Sequence, residues 1–263
     1  MKNAKTYETP MKKFLAQLPR RRRPQAQEPM DILLESILQA DATLAQAQAA
    51  LETLRQEYVD LNDLRVSPPR EIAEIIGEDY PRARDKAAMV TTVLSNLMES
   101  AGALSLESLR ELPKRELRRR LTEMGLDPFA SAAVVLRVFA GHAVPVDASV
   151  VDALQAEGMV HASSGVEDVQ GFLERIVSQK DAPEVHEALR AYVEKQPKVL
   201  SRHRHSAPAS TEEPAASMAN QPPPQPPPFQ PPPPDAHGRA KAKPAAKPHP
   251  SRRPAPGKAA KKG

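Results

Sequence analysis

Apolar residues recur at intervals of three and four positions from about residue 30 to residue 198, and this spacing constrains the fold more than any other feature. It is seen at Ile32, Leu33 and Ile37 and again at Val169 and Phe172. Such spacing places apolar side chains on one face of a helix, and no stretch alternates with period two for long enough to form a strand. The sequence therefore predicts an all-α domain of nine or ten short helices.

One predicted helix, residues 129–140, is apolar on nearly every side, so we expect it to be the buried central helix. A short turn, 125–128, precedes it, and an arginine-rich helix over 114–123 precedes the turn. Helix, glycine turn and buried helix together predict a helical hairpin.

Proline divides the chain, because 17 of its 29 prolines follow residue 200. A segment of that composition cannot form a hydrophobic core. We predict a basic disordered N-terminal arm over 1–27, the helical domain over 28–198, a proline-rich linker over 199–234 and a basic disordered tail over 235–263. The proline run is interpreted as an extended spacer, or alternatively as a ligand for the aromatic groove of a protein partner.

Charge follows the same division. Residues 1–24 contain eight Lys/Arg and one acid, and residues 235–263 contain nine Lys/Arg and one acid. Residues 25–200 contain 18 Lys/Arg and 29 acids, so the net charge of +4 belongs to an acidic domain between two basic arms. Arms of this composition neutralise phosphates without reading bases, although a merely solubilising tail is the alternative for 235–263.

Several classes of protein are excluded. The chain has no cysteine, so disulfides and cysteine-held metal sites cannot form, and no other metal site is predicted. The N-terminal region lacks the sustained apolar run of a signal peptide or membrane span, which makes a cytoplasmic protein the expectation.

Two stretches carry a resemblance to a known family. The runs Leu121–Leu136 and Gly141–Asp147 resemble the helix-hairpin-helix and Gly/Pro-Asp segments of the endonuclease III superfamily of DNA glycosylases. That family reads Leu-Pro-Gly-Val-Gly-Pro-Lys-Thr-Ala, then a valine-rich helix, then Pro-Val-Asp-Thr-His, and no gap is needed. Weaker matches at 37–43, 69–76, 80–87 and 157–160 follow in order, so the resemblance covers about residues 28–195.

The resemblance implies two helical subdomains, double-stranded DNA as the partner and base-excision repair as the process. In the family a base rotates out of the duplex, the aspartate stabilises charge on the sugar, and hairpin amides approach a phosphate. It assigns Asp147 as the catalytic aspartate. The DNA-binding candidates are the hairpin and the helix before it: Gly125, Leu126, Asp127, Pro128, Arg118, Arg119 and Arg120.

The chain also departs from the family. Phe129 occupies the position of the Schiff-base lysine, so lyase activity should be absent, and its ring is either a wall of the base pocket or part of the core. Asp127 replaces the second hairpin glycine and would repel a phosphate. The cysteines of the family's iron–sulfur loop are missing, so no cofactor is expected.

Two assignments have plain structural alternatives. Asp147 would also serve as an ordinary helix N-cap. Arg118, Arg119 and Arg120 would either face DNA or pair with glutamates on a solvated face.

Two functional hypotheses follow. The first is a DNA-binding protein of the endonuclease III-like repair family that acts as a monofunctional DNA N-glycosylase through Asp147. The second is a catalytically inactive scaffold of that family that holds nucleic acid non-specifically through its arms. In both cases we expect a monomer in the cytoplasm, associated with the nucleoid and not with a membrane.

Overall fold

The computed structural model describes residues 2–19, 27–77 and 79–202. The chain divides into two units, Met1–Glu212 and Glu213–Gly263, and every described residue belongs to the first. The predicted basic tail and the proline run of the linker lie outside the described residues. None of the described residues forms a β-strand, so the all-α prediction is confirmed.

Twelve α-helices lie within the described ranges, together with a short 3₁₀ turn at Glu107–Leu109. They are α1 Ala4–Gln17, α2 Pro29–Gln39, α3 Leu44–Glu57, α4 Leu61–Val66, α5 Pro69–Ile76, α6 Ala83–Ala101, α7 Lys114–Glu123, α8 Pro128–Arg137, α9 Ala148–Ala156, α10 Val166–Ile176, α11 Ala182–Glu194 and α12 Pro197–Arg202.

The helices pack in two groups, as the resemblance implied. Helices α2 to α8 contact mainly one another, and α1 packs with α9 to α12. Helix α8 joins the groups because it packs on α2, α7 and α11. Within the described ranges no helix is long and apolar enough to cross a membrane.

Helix α8 is the buried helix that the sequence predicted. All eight of its residues from Phe129 to Leu136 are buried, but it ends at Arg137, three residues earlier than expected. The Gly141 amide bonds back to the Val135 carbonyl at 2.8 Å, and a Cβ on Gly141 would lie 2.6 Å from Val135 Cγ1. The close approach of the chain to α8 therefore requires glycine at 141.

The prediction of a disordered arm over 1–27 is wrong for residues 4–17. These residues form α1, which packs on α10 and α11. Met11 is fully buried, and the Phe14 ring meets Tyr192 edge-on with centroids 5.2 Å apart. The apolar face of α1 is short and is interrupted by lysines, so this segment has the composition of a disordered basic arm although it is helical.

The boundary at residue 198 also needs correction. Helix α12 continues to Arg202, and Val199 and Leu200 are buried. The folded domain thus includes residues from both segments that we had predicted to flank it.

Replacement of Met11 by alanine tests whether α1 belongs to the folded domain. We expect Met11→Ala to lower the free energy of unfolding of the full chain by about 2–5 kcal/mol, because it leaves a cavity under α1. Lys13→Ala, on the exposed face of α1, is the matched control and should have little effect. Equal stability of the two variants in denaturant unfolding would show that α1 adds nothing to the domain.

Candidate functional site

The hairpin turn is built by the end of α7. The Leu126 amide bonds to the Leu121 carbonyl at 3.2 Å and the Gly125 amide to the Thr122 carbonyl at 2.9 Å, which is a Schellman motif. Gly125 has φ of 101°, so it takes the left-handed conformation that this motif requires. A Cβ there would also lie 3.0 Å from Thr92 Cγ2, because the turn rests against α6.

Asp127 is the N-cap of α8. Its Oδ1 accepts a hydrogen bond from the Ala130 amide at 2.7 Å, and burial raises the pKa of the carboxyl. The side chain thus serves its own helix. Of its neighbours, Leu126 is buried, whereas Gly125 and Pro128 are exposed.

Phe129 lies in the interior and is 3% exposed. Its ring centroid is 6.1 Å from that of His186 and 5.5 Å from Cζ of Arg190. The ring therefore lies within the packed interior.

Asp147 caps α9 and is 4% exposed. Its Oδ1 accepts hydrogen bonds from the Ser149 hydroxyl at 2.7 Å and the Val150 amide at 2.9 Å. Its Oδ2 accepts from the Asp41 amide at 2.9 Å and from the Arg190 guanidinium. Four donors thus surround this carboxylate.

The electrostatics of Asp147 follow from these contacts. Burial alone would raise the pKa of this carboxyl, but Arg190, the Ser149 hydroxyl and the backbone amides hold the pKa below its ordinary value. Asp147 is therefore an anion paired with a cation in the interior.

Arg190 itself is 1% exposed and reaches the loop between α2 and α3. Its Nη2 donates to the carbonyls of Gln39 and Ala42, the first at 3.2 Å. Together with the bond from Nη1 to Asp147, these contacts connect α11 to both α9 and the α2–α3 loop.

The same loop is held from α6. Lys86 Nζ donates to the carbonyls of Leu38 at 2.7 Å and Ala40 at 2.6 Å, and it lies 4.7 Å from the Tyr80 ring centroid. Burial lowers the pKa of Lys86 to about 7.

Asp41 connects the α2–α3 loop to α9. It has a φ of 54°, and its Oδ1 accepts a hydrogen bond from the Ser149 amide at 3.2 Å. We call Asp41, Lys86, Asp147, Ser149 and Arg190 the interior polar cluster.

Three of the four arginines of α7, the candidates Arg118, Arg119 and Arg120, pair within the protein. Arg118 binds both carboxylate oxygens of Glu174, at 2.8 and 3.1 Å, and the His142 carbonyl. Arg119 pairs with Glu116 and Glu123, and Arg120 lies 3.6 Å from Glu123. Glu116 and Glu123 were among the partners that the sequence offered, while Glu174 as the partner of Arg118 was not foreseen.

Sequence reasoning missed Arg190, Lys86 and His186. Each sits on a helix whose buried positions are mostly apolar, such as Leu189 on α11. The signal that was present is the register: His186 lies four residues after Ala182, and Leu189 and Arg190 lie three and four residues after His186. A charged side chain in a buried register needs a buried partner.

Among the described residues no group of three or more His, Asp or Glu side chains could hold a metal ion. The cluster does contain buried polar atoms without a hydrogen-bond partner, at Arg190 Nε and at neighbouring His186 Nδ1 and Gln39 Oε1. Buried polar atoms are normally hydrogen-bonded, so three such atoms without a partner in one region are unusual.

We expect Arg190→Met to lower the free energy of unfolding by about 3–5 kcal/mol, because it leaves the Asp147 carboxylate buried without its cation. In the double variant Arg190→Met/Asp147→Asn the loss should be smaller than the sum of the single losses, since the amide keeps the cap without the charge. Arg119→Met, which removes only exposed ion pairs, is the control and should change stability little. Additive losses in the double variant would contradict a direct pair.

His186 gives a prediction on pH. Burial and the nearby Arg190 and Arg137 lower the pKa of this imidazole from 6.5 to about 3, so it is neutral when folded and charges on unfolding. The folded state should lose stability as pH falls from about 6.5 towards 3, by up to about 1.4 kcal/mol per pH unit from this group. His186→Gln should flatten that slope in denaturant unfolding measured across pH. The partly exposed His161→Gln should leave it unchanged, and equal slopes in both variants would contradict the assignment.

No protein-family model matches the chain, and no curated protein matches it in sequence. Solved structures do match it. A trapped endonuclease III–DNA covalent intermediate is 19% identical with a TM-score of 0.54, over 73% of this chain and 86% of that one. The Clostridium acetobutylicum 8-oxoguanine glycosylase/lyase, in complex with double-stranded DNA, is 15% identical with a TM-score of 0.54, over 74% and 71%. A thermostable thymine-DNA glycosylase is 18% identical with a TM-score of 0.50, over 72% and 85%. The chain therefore has a DNA glycosylase-like fold.

Proposed function

We propose that this protein binds double-stranded DNA through its basic arms, and that its glycosylase-like domain is a catalytically inactive scaffold in base-excision repair. One observation carries the proposal: the Asp147 carboxylate is buried and already accepts four hydrogen bonds, one of them from Arg190. A glycosylase needs this carboxylate beside the sugar of a flipped nucleotide, where it stabilises the developing positive charge.

Catalysis would need the negative charge of Asp147 and open space beside its carboxylate, and the pairing with Arg190 removes both. The guanidinium neutralises the charge of Asp147 and occupies the space next to the carboxylate, and the Phe129 ring packs against the guanidinium with its centroid 5.5 Å from Cζ. A flipped base would have to displace a buried arginine and its bonds to Gln39 and Ala42. Such a displacement would leave uncompensated buried groups, which is costly.

A lyase reaction lacks its nucleophile. Phe129 stands at the position where the resemblance places the Schiff-base lysine. The buried amine of this region, Lys86, is engaged by two backbone carbonyls and is 2% exposed. We therefore propose that the protein forms no covalent intermediate with DNA.

The arms are proposed as the DNA-binding elements because the three candidate arginines of α7 are already paired. Arg118, Arg119 and Arg120 pair with glutamates, and residues 25–200 are acidic overall. Residues 1–24, of which 4–17 form α1 and 20–23 are four consecutive arginines, and residues 235–263 hold 17 of the 37 Lys/Arg. Contacts from such arms would be electrostatic and independent of base sequence.

The second candidate is a monofunctional glycosylase. It is favoured by the place of Asp147, which caps the helix after the hairpin just where the resemblance puts the catalytic aspartate. The unpaired buried atoms around it also fit a region that once held, or still admits, a polar ligand. This function requires Arg190 to leave Asp147.

The proposal also covers the oligomeric state, location and cofactor of the protein and the role of its proline run. The protein would work as a monomer in the cytoplasm near the nucleoid, without an iron–sulfur cluster, since the chain has no cysteine to hold one. The proline run would serve as a spacer or bind a protein partner.

Duplex binding by the full chain, titrated against salt, tests the role of the arms. We expect affinity to fall steeply with salt, and the slope of log K against log salt to shrink by about 0.9 for each phosphate contact removed. Changing Arg20–Arg23 to glutamine, and separately the nine Lys/Arg of 235–263, should weaken binding and flatten the slope. Arg115→Gln/Arg119→Gln/Arg120→Gln is the matched control on the domain, and loss of binding there instead would assign DNA binding to α7.

Base release separates the two candidates. On duplexes with oxidised, alkylated or mismatched bases we expect no release above the uncatalysed rate, and no difference between the wild type and Asp147→Asn. Release that depends on Asp147 would establish the glycosylase instead. A borohydride-trapped protein–DNA adduct would contradict both candidates, because it requires an amine nucleophile.

A further inference from the structure

A cavity lies away from the interior polar cluster. It has a volume of about 510 Å³ and is formed by the start of α2, the end of α3, α4 and the loop before the 3₁₀ turn. No member of the interior polar cluster lines it. Five leucines form its floor: Leu34, Leu51, Leu54, Leu64 and Leu106. Charged residues and one valine form its rim: Glu28, Asp31, Arg55, Val59, Asp60 and Glu107. We call it the α2–α4 cavity.

The floor of the α2–α4 cavity is apolar. The five leucines are each no more than 4% exposed and belong to the hydrophobic core. Its volume is within the range of small-molecule sites, which are mostly apolar with a few polar groups at the edge. The floor therefore suits a hydrocarbon chain or ring of a small ligand.

The rim of the cavity is acidic. Four carboxylates line it against one cation, Arg55, which pairs with Asp31. Arg110, just outside the lining, pairs with Glu107 at 2.7 Å. Counting both arginines, an excess of two negative charges remains, and Glu28 and Asp60 supply it.

The rim also exposes apolar surface. Val59 is 94% exposed, more than any other large hydrophobic residue in the described ranges, and it stands beside Asp60. A ligand that entered the cavity would cover part of this side chain. Apolar surface next to carboxylates favours a ligand that is both apolar and cationic.

We propose that the α2–α4 cavity binds a small organic cation, with an ammonium group at the Glu28 and Asp60 carboxylates and an apolar chain or ring on the leucine floor. The attraction of the two carboxylates selects the charge, and burial of hydrocarbon provides affinity. This site is independent of the function proposed for Asp147 and the arms.

Methyl NMR of the full chain with a matched pair of probes tests the proposal. The probes are 4-phenylbutylammonium and the uncharged 4-phenyl-1-butanol, which share the same apolar part. We expect the ammonium ion to shift the Leu51, Leu54 and Leu64 methyl signals saturably, with an affinity about fivefold above that of the alcohol at low salt. The difference should shrink as salt screens the rim.

Charge removal at the rim gives the decisive comparison. Glu28→Gln/Asp60→Asn keeps the cap of α4, because asparagine caps helices as well as aspartate does. It should abolish the preference for the ammonium ion and leave binding of the alcohol unchanged. Glu99→Gln/Asp79→Asn, at exposed positions outside the cavity, is the control and should keep the preference.

Three outcomes would overturn the proposal. The first is equal affinity of the two probes for the wild type. The second is an ammonium preference that survives in Glu28→Gln/Asp60→Asn, and the third is the absence of any leucine methyl shift with either probe.

Discussion

The buried ion pair between Asp147 and Arg190 connects the two groups of helices. Asp147 caps α9 and Arg190 belongs to α11, both in one group, and together they hold the α2–α3 loop of the other group through the Asp41 amide and the carbonyls of Gln39 and Ala42. A pair of charges this deep is stable only when further hydrogen bonds surround it, as they do here. The position of the loop, and with it the junction between the groups, depends on this pair.

The Asp147–Arg190 pair also shows that the fold of this chain and the chemistry of its interior have to be considered separately. The hairpin keeps its Schellman turn at Gly125, its cap at Asp127 and its buried helix, and the chain keeps a glycosylase-like fold. At the same time the Asp147 carboxylate and the Phe129 ring are packed into the interior. One fold can carry different site chemistries, because backbone packing and site chemistry depend on different atoms. The scaffold proposal follows from this difference.

Much of the fold could be predicted because its signals are local. The apolar run of α8, the turn at Gly125 and the cap at Asp147 are each contained in a few successive residues, and the structure has all three. Helix α1 was missed because its apolar face has few residues, and those residues are stabilised by α10 and α11 and not by the helix itself. The capping box of α3, Thr43 with Gln46, was likewise readable in principle, since both partners lie within one turn.

The sequence by itself determined the helical class, the hairpin and the division of charge between an acidic middle and two basic ends, because periodicity, turn residues and composition are properties of neighbours along the chain. Only the tertiary structure decided which charges meet. Arg118 pairs with Glu174, 56 residues away, and Asp147 with Arg190, 43 residues away. Arginine is a residue type that is usually found on the surface or at a DNA interface, so neither residue could be recognised as buried from its type. Their partners are brought to them by helix packing, and a spacing rule within one helix carries no information about packing between helices.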